Sequence, residues 1–207
     1  MNNLEQNTVD VRGKVVSEPV LSHTVYGESF YVFDLEVERL SDSVDVIPVL
    51  ISEKLMTDFA VDTYVKISGQ MRTYNKMEGK NRKLLIYVFT RDIESLTAEE
   101  FNANKEPNNL VSLTGFICKE PVYRTTPFGR EITDLLVAVN RSYNNSDYIP
   151  CIAWGRNAKY TKTFSTGQKV EIIGRFQSRE YTKKDENGNI ITKQAYELSV
   201  LNVKAIQ

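Results

Sequence analysis

The sequence repeats itself with a period of 102 residues. Between residues 9 and 51, 12 of 43 positions are identical to the position 102 further along, without a gap. The identities include Gly13 with Gly115 and Asp45 with Asp147. After a gap of three residues a further pattern recurs, in which Val65, Ile67 and Gly69 match Val170, Ile172 and Gly174. A tandem repeat of this length indicates two copies of one structural unit, each of about 100 residues and able to bury its own core.

Both copies have the pattern of β-strands. Apolar and acidic side chains alternate from Phe33 to Glu38, and apolar side chains occupy every second position from Val170 to Phe176. A period of two is typical of a strand with one buried face. Several such strands joined by turns predict a small barrel in each copy.

One short helix per copy is predicted between the third and fourth strands, over 53–60 and 156–164. The predicted fold is therefore all-β, with two tandem OB-fold, five-stranded Greek-key barrels that carry one short helix each. A polar stretch that is closed by proline separates the copies, and a short helix fits its beginning. These features divide the chain into an N-terminal OB fold (1–96), a linker (97–109) and a C-terminal OB fold (110–207).

The composition argues against an enzyme. His23 is the only histidine, so a multi-histidine metal site is excluded and a Ser/His/Asp triad would have to use it. Neither common glycine-rich phosphate loop is present. The acidic residues are scattered and form no dense constellation. We therefore expect no catalysis, no metal and no cofactor.

The sequence predicts a cytoplasmic protein. No apolar run approaches the 18 residues of a membrane span, and residues 1–6 lack the basic and apolar regions of a signal peptide. Cys118 and Cys151 form no C-x-x-C motif, and two thiols make no disulfide framework.

The net charge of −1 hides two oppositely charged halves. Residues 1–107 hold 12 basic and 18 acidic side chains, a net charge of −6, whereas residues 108–207 hold 14 basic and 9 acidic ones, a net charge of +5. Affinity for nucleic acid depends on local positive charge, so this asymmetry favours the second copy as a nucleic-acid-binding domain.

An ordered series of short motifs runs through the second copy. The motifs are NLVSLTG (109–115), EP (120–121), TPFG (126–129), LVAVNR (136–141), DYIPC (147–151), WG (154–155) and GRFQSR (174–179). In this order and spacing, residues 108–207 resemble the bacterial single-stranded DNA-binding protein family. The whole chain is similar to the tandem, two-barrel variety of that family, and a nucleoid-associated protein is expected.

The resemblance implies that bases stack on four aromatic residues, namely Tyr143, Tyr148, Trp154 and Tyr181. The residues support part of this set independently. Tyr148 and Trp154 are six apart in one predicted strand, so they share a face. Tyr143 falls on the apolar face of its strand and would need a bulge or a loop position to be exposed. An exposed aromatic ring beside arginine is what sequence-independent binding of a single strand needs.

Phosphate contacts are expected from basic side chains of the second copy. Arg175 and Arg179 are the foremost, because they share a strand face with Tyr181. The wider set is Arg130, Arg141, Arg156, Lys159, Lys183 and Lys184.

The first copy lacks most of these features. At the positions that match Tyr143, Tyr148 and Trp154 it has Ser41, Val46 and Ser52, and only Tyr74 with Arg72 lies near the Tyr181 position. The first copy also has a row of acidic side chains, which would repel phosphate. These are Asp34, Glu36 and Glu38, where the second copy has Leu136, Ala138 and Asn140. We therefore expect the first barrel to be mainly structural, with a weaker role in binding.

The sequence thus predicts a non-enzymatic, sequence-independent binder of single-stranded DNA in replication, recombination or repair. The family resemblance implies a homodimer that brings four barrels together, and no acidic C-terminal recruiting tail is expected. Two alternatives stay open: an OB-fold adaptor of a primosome or recombination complex whose main partner is protein, and a binder of single-stranded RNA.

Overall fold

Twelve strands make up most of the protein. The computed structural model describes residues 7–39, 41, 43–56, 59–79, 81–104, 106–141, 145–184 and 188–206. In the first copy the strands are β1 (Asn7–Val15), β2 (Val20–Val25), β3 (Glu28–Glu38), β4 (Val44–Ser52), β5 (Tyr64–Glu78) and β6 (Asn81–Leu96). In the second copy they are β7 (Asn109–Ile117), β8 (Val122–Thr125), β9 (Glu131–Asn140), β10 (Ser146–Trp154), β11 (Lys169–Lys184) and β12 (Ile190–Ile206).

Each copy closes into a barrel. The first has the strand order β2-β3-β4-β6-β5-β1 and the second the order β7-β11-β12-β10-β9-β8. Additional pairings of β3 with β1 and of β9 with β7 close the two barrels. Five strands form each barrel, and the short strands β2 and β8 extend it as hairpin partners of β3 and β9. Inward-facing apolar side chains fill both interiors, as the alternation predicts; Phe33 and Phe176 are the largest of them.

The helices differ between the copies. In the second copy α2 (Gly155–Thr161) buries the small side chains of Ala158 and Thr161 against the barrel. The first copy has only a 3-10 helix over Glu53–Leu55, so the helix predicted over 53–60 is wrong where the structure describes it. Met56, whose backbone is extended, ends that turn. Phe59 then enters the core against Phe33, with ring centroids 5.1 Å apart, which a helix continuing over the surface would prevent.

The connection between the copies packs on the first barrel. Helix α1 (Ala98–Ala103) starts with a capping box, in which Thr97 and Glu100 bond each other's backbone N–H groups. Its one buried side chain, Phe101, stacks on Tyr64 with ring centroids 4.5 Å apart. No helix in the described ranges is long and apolar enough to cross a membrane.

Strands β1 and β7 join the two barrels into one twelve-stranded sheet. They run antiparallel, and Val9 lies opposite Val111, its own counterpart in the repeat. Equivalent residues face each other in this way at an isologous, two-fold interface. The repeat therefore gives an internal pseudo-dimer.

Glycine is required where each barrel closes. A Cβ atom at Gly13 would lie 2.2 Å from the carbonyl oxygen of Glu36, and one at Gly115 would lie 2.5 Å from that of Ala138. Both distances are far below van der Waals contact. The two identical glycines of the repeat thus let β1 approach β3 and let β7 approach β9.

We predict that Gly115→Val lowers the free energy of unfolding by about 1–3 kcal/mol, because the new side chain must displace backbone at the closure. Urea unfolding would measure the loss. Thr114→Val is the control, since this neighbour is partly exposed and its side chain points to the other face of β7. Equal stability of the two variants would contradict this account of barrel closure.

Candidate nucleic-acid interface

Strand β10 presents two aromatic side chains on the outside of the second barrel. Tyr148 is 44% exposed and Trp154 is 37% exposed, while Ile149, Cys151 and Ala153 between them are buried. The even spacing predicts this arrangement, because successive side chains of a strand point to opposite faces. Six residues of strand separate the two rings by about 20 Å.

Strand β11 adds cations to the same outer face. Strand β12 lies between β10 and β11, and Ser199 pairs with Ile152 on one side and with Arg175 on the other. Arg175 is therefore about two strand spacings, or roughly 10 Å, from Ile152, and Trp154 lies two residues further along β10 on the same face. Nε of Arg175 is buried and has no hydrogen-bond partner in the part of the chain that the structure describes. An anion bound at this face would satisfy it.

A carboxylate partly neutralises this face. Glu197 accepts a hydrogen bond of 3.0 Å from Gln177, and its Oε1 lies 3.5 Å from Nε of Arg179. Tyr181, further along β11, is 38% exposed and pairs with Lys193. Arg175 and Arg179 are the foremost phosphate ligands predicted from the sequence. The charge of Arg179 is partly compensated by Glu197, so Arg175 is the less compensated of the two.

Other predicted basic residues lie at the edges of the barrel. Arg156 and Lys159 are exposed on α2, and Nζ of Lys159 is 3.0 Å from a carboxylate oxygen of Glu131. The hydroxyl of Tyr123 donates to the same carboxylate, and these two hydrogen bonds lower the pKa of Glu131. Arg130 is exposed after the β8–β9 turn.

The side chains of three predicted residues lie outside the described structure. Tyr143 lies outside the described residues. The backbone of Lys183 and Lys184 belongs to β11, but their side chains lie outside the described set.

Arg141 is held in a joint between the barrels. Its Nε lies 2.9 Å from Oδ2 of Asp147, with the geometry of an ion pair rather than of an aligned hydrogen bond. The same carboxylate, which is fully buried, accepts hydrogen bonds of 3.0 Å from Arg72 and 2.6 Å from the backbone N–H of Thr73. Both of these donors belong to the first barrel. Arg141 therefore forms part of this joint through its ion pair with Asp147.

The repeat builds a second joint in the same way. Asp45, the counterpart of Asp147, is bound by Arg39 and accepts a hydrogen bond of 2.8 Å from the backbone N–H of Ser178 in the other barrel. The sequence contains a sign of both joints, because Arg39 and Asp45 recur in the second copy as Arg141 and Asp147. It did not show that each carboxylate crosses to the other barrel.

The first joint also positions Tyr148. The backbone N–H of Tyr148 donates a hydrogen bond of 3.0 Å to the hydroxyl of Thr73. Burial lowers the pKa of Arg72, but the ordinary pKa of a guanidinium is so high that it stays charged. Two arginines thus face one buried carboxylate beside Tyr148, which leaves excess positive charge at this end of the face.

The cysteines take no part in the face. Burial raises the pKa of both thiols, and Cys151 is in the barrel interior. The described ranges hold no group of three His, Cys, Asp or Glu side chains that could bind a metal ion.

Solved structures share the whole architecture. The wild-type single-stranded DNA binding protein from Thermus aquaticus superposes with a TM-score of 0.70 over 97% of this chain and 93% of that chain, at 16% identity. A deletion mutant of the same protein gives a TM-score of 0.68 at 17% identity. The predicted fold, two tandem OB-fold barrels, is confirmed, and the protein is of the OB-fold class.

Sequence comparison covers the second copy. The Single-strand binding protein family matches residues 108–206. Single-stranded DNA-binding protein B of Bacillus subtilis is 33% identical over 84 residues, which are 37% of this chain and 74% of that protein. The single-stranded DNA-binding protein of Clostridium tetani is 35% identical over 92 residues, 41% of this chain. The match spans 63% of the Clostridium tetani protein and 55% of a Staphylococcus aureus relative. The chain belongs to the single-strand binding protein family.

We predict that Asp147→Asn lowers the free energy of unfolding by about 3 kcal/mol, because it leaves Arg72 and Arg141 buried against a neutral amide. Denaturant titration would show the loss. Asp134→Asn is the matched control: it breaks the exposed 2.9 Å pair with Arg124, which contributes at most about 1 kcal/mol. If both variants were equally stable, the joint would not hold the barrels together.

Proposed function

We propose that the protein binds single-stranded DNA without sequence preference through the outer face of the second barrel. The observation that carries the proposal is the presence of Tyr148 and Trp154 on one face with Arg175, whose Nε lacks a partner in the described structure. Every base has a π-face, and each stack contributes roughly 1–3 kcal/mol regardless of sequence. Relatives named single-stranded DNA-binding proteins support the same ligand.

The charge of the second copy supports a role for phosphate contacts. Its net charge of +5 is concentrated in one domain, 110–207 in the division proposed above. Arg175 is the side chain that we assign first to a phosphate, with Arg179, Arg156 and Lys159 around it. Tyr181 continues the stacking face along β11, and Tyr143, Lys183 and Lys184 stay in the proposed set on the family resemblance alone.

The cellular role follows from this ligand. A protein that coats exposed strands acts without catalysis, in the cytoplasm and on the nucleoid, wherever replication, recombination or repair produces single-stranded DNA. Binding of this kind protects the strand and depends on salt, because bound phosphates release counterions.

Trp154 provides a direct test, since it is the only tryptophan. We expect oligo-dT to quench its fluorescence strongly, and duplex DNA not to. Tyr148→Ala should weaken oligo-dT binding by about tenfold, which is the loss of one stack.

Tyr160→Ala is the matched control for that titration. Tyr160 is also 44% exposed, but it lies on α2 and packs edge-on against Phe164, away from the strand face. Unquenched Trp154 together with no retained oligo-dT at low salt would reject the proposed face.

We also propose that two chains associate through the outer face of β7 and β11. Leu110, Phe116 and Ile173 are large apolar side chains that are each about 40% exposed. They share this face because Ile173 pairs with Ser112, and Leu110 and Phe116 are an even number of residues from Ser112 on β7. A homodimer would cover these side chains and bring four barrels together.

Sedimentation equilibrium should therefore give about twice the chain mass of 23.7 kDa. Ile173→Lys should shift the mass to that of a single chain, because it buries an unpaired charge in the interface. Val122→Lys, at an exposed valine on the edge strand β8, should leave the dimer intact. A wild-type mass of 23.7 kDa would exclude the dimer.

A further inference from the structure

We propose that Thr73 of the first barrel is a positioning residue for the DNA-binding face of the second, an inference that rests on the proposed function and deepens it. The hydroxyl group of Thr73 holds the backbone of Tyr148, so the first barrel contributes to the affinity of a face that belongs to the second. Thr73 is only 6% exposed, so it acts through Tyr148 and does not touch the DNA.

Strand β10 has an edge without a partner strand where Tyr148 lies. On one side β10 pairs with β9 along its whole length, with Tyr148 opposite Ala138. On the other side it pairs with β12 only at Cys151 and Ile152, within the residues that the structure describes. A backbone N–H group at such an edge needs another acceptor when it is shielded from water, because a buried unpaired one costs free energy.

Thr73 supplies that acceptor from the other barrel. The backbone N–H of Tyr148 donates a hydrogen bond of 3.0 Å to the hydroxyl oxygen of Thr73. The hydroxyl group in turn donates to Oδ1 of Asp147 at 3.4 Å, and the backbone N–H of Thr73 donates to the same oxygen at 2.6 Å. One hydroxyl group can donate and accept at the same time, so both of its bonds are compatible. Thr73 is thus fixed by the residue that precedes Tyr148.

The bond bears on binding because the ring of Tyr148 is 44% exposed. The exposed part of the ring has no packing contact to hold it, so its direction depends on the backbone of β10. With β9 on one side and Thr73 on the other, that backbone is held at both edges. A ring that is already in its binding position loses less conformational freedom when a base stacks on it, and this raises the affinity.

The repeat contains the same bond without an aromatic residue. Ser178 is the counterpart of Thr73, and its hydroxyl oxygen accepts a hydrogen bond of 3.2 Å from the backbone N–H of Val46, the counterpart of Tyr148. Both bonds join the barrels, but only that of Thr73 ends at an exposed ring. Ser178→Ala therefore removes an equivalent bond and leaves the bond to Tyr148 in place.

The test measures binding of oligo-dT to the full chain through the fluorescence of Trp154. Thr73→Val keeps the shape of the side chain and removes its hydroxyl group. We expect it to bind oligo-dT about fivefold more weakly, the equivalent of one hydrogen bond. Thr73→Ser, which keeps the hydroxyl group, should bind as wild type does, and so should Ser178→Ala. Thr73→Val and Ser178→Ala should lose similar stability in urea, because each lacks one hydrogen bond between the barrels.

A second substitution separates a positioning role from a structural one. In the Tyr148→Ala background, Thr73→Val should weaken binding no further, because no ring is left to position. The double variant should therefore bind about tenfold more weakly than wild type, whereas independent effects would multiply to about fiftyfold. A fiftyfold loss would show that Thr73 acts independently of Tyr148 and would exclude the positioning role.

Salt dependence gives a further readout. Thr73→Val should keep the wild-type slope of log K against log salt, because it removes no phosphate contact. Arg175→Ala should lower that slope by about 0.7, the value for one phosphate of a single strand. An equally lowered slope for Thr73→Val would overturn the positioning role, since a lost phosphate contact would then account for the weaker binding.

The two proposals fail in different ways. Wild-type affinity of Thr73→Val, with Trp154 still quenched, would overturn the positioning role and leave the second barrel as the binding site. Failure of the wild-type protein to bind oligo-dT would overturn both proposals. If Thr73→Val does not fold by circular dichroism, Thr73→Ala decides the question, since it adds no atom to the contact between the barrels.

Discussion

The antiparallel pairing of β1 with β7 is the interaction on which the rest of the molecule depends. Because Val9 pairs with its counterpart Val111, the two barrels are related by a pseudo-two-fold axis, and the hydrogen bond from a backbone N–H group to an aspartate of the other barrel occurs twice. The axis brings β5 against β10 and β11 against β4. Two fully buried carboxylates, Asp45 and Asp147, then bind a backbone N–H group of the opposite barrel. Removing one partner from such a buried ion pair is costly, so the joints fix the relative position of the barrels.

The two halves keep this symmetry in their backbone and lose it on their outer faces. The second barrel has Trp154 and Tyr148 on β10 with arginines on β11, whereas the first has a group of rings and an acidic row. The charge difference between the copies therefore belongs to surfaces and leaves the cores alike. Because the backbone N–H of Tyr148 donates a hydrogen bond to Thr73, the proposed binding face of the second barrel ends at the first barrel. The joint that stabilises the molecule thus also lies beside the proposed binding face.

Much of the fold could be predicted because a barrel of this size leaves a period-two pattern in each strand and the repeat supplies the pattern twice. The even spacing of Tyr148 and Trp154 predicted that they share one face of a strand, and their exposure places that face outside the barrel. The helix predicted over 53–60 is wrong because the 3-10 turn ends at Leu55 and Phe59 packs in the core against Phe33, a long-range contact that the local sequence does not show. Arg141 was predicted as a phosphate ligand because it is basic, but only the structure shows that Asp147 binds it.

The sequence by itself determined the number of units, their strand pattern and the opposite charges of the two halves, since these depend on residue type and local spacing. Tertiary structure alone decided which side chains from distant strands come together. Asp147 and Arg72, for example, are far apart in the chain, and alignment by position does not show that they form an ion pair across the two barrels. Strand pairing brings them together, because the neighbours of a residue in a barrel are set by sheet order and register rather than by distance along the chain.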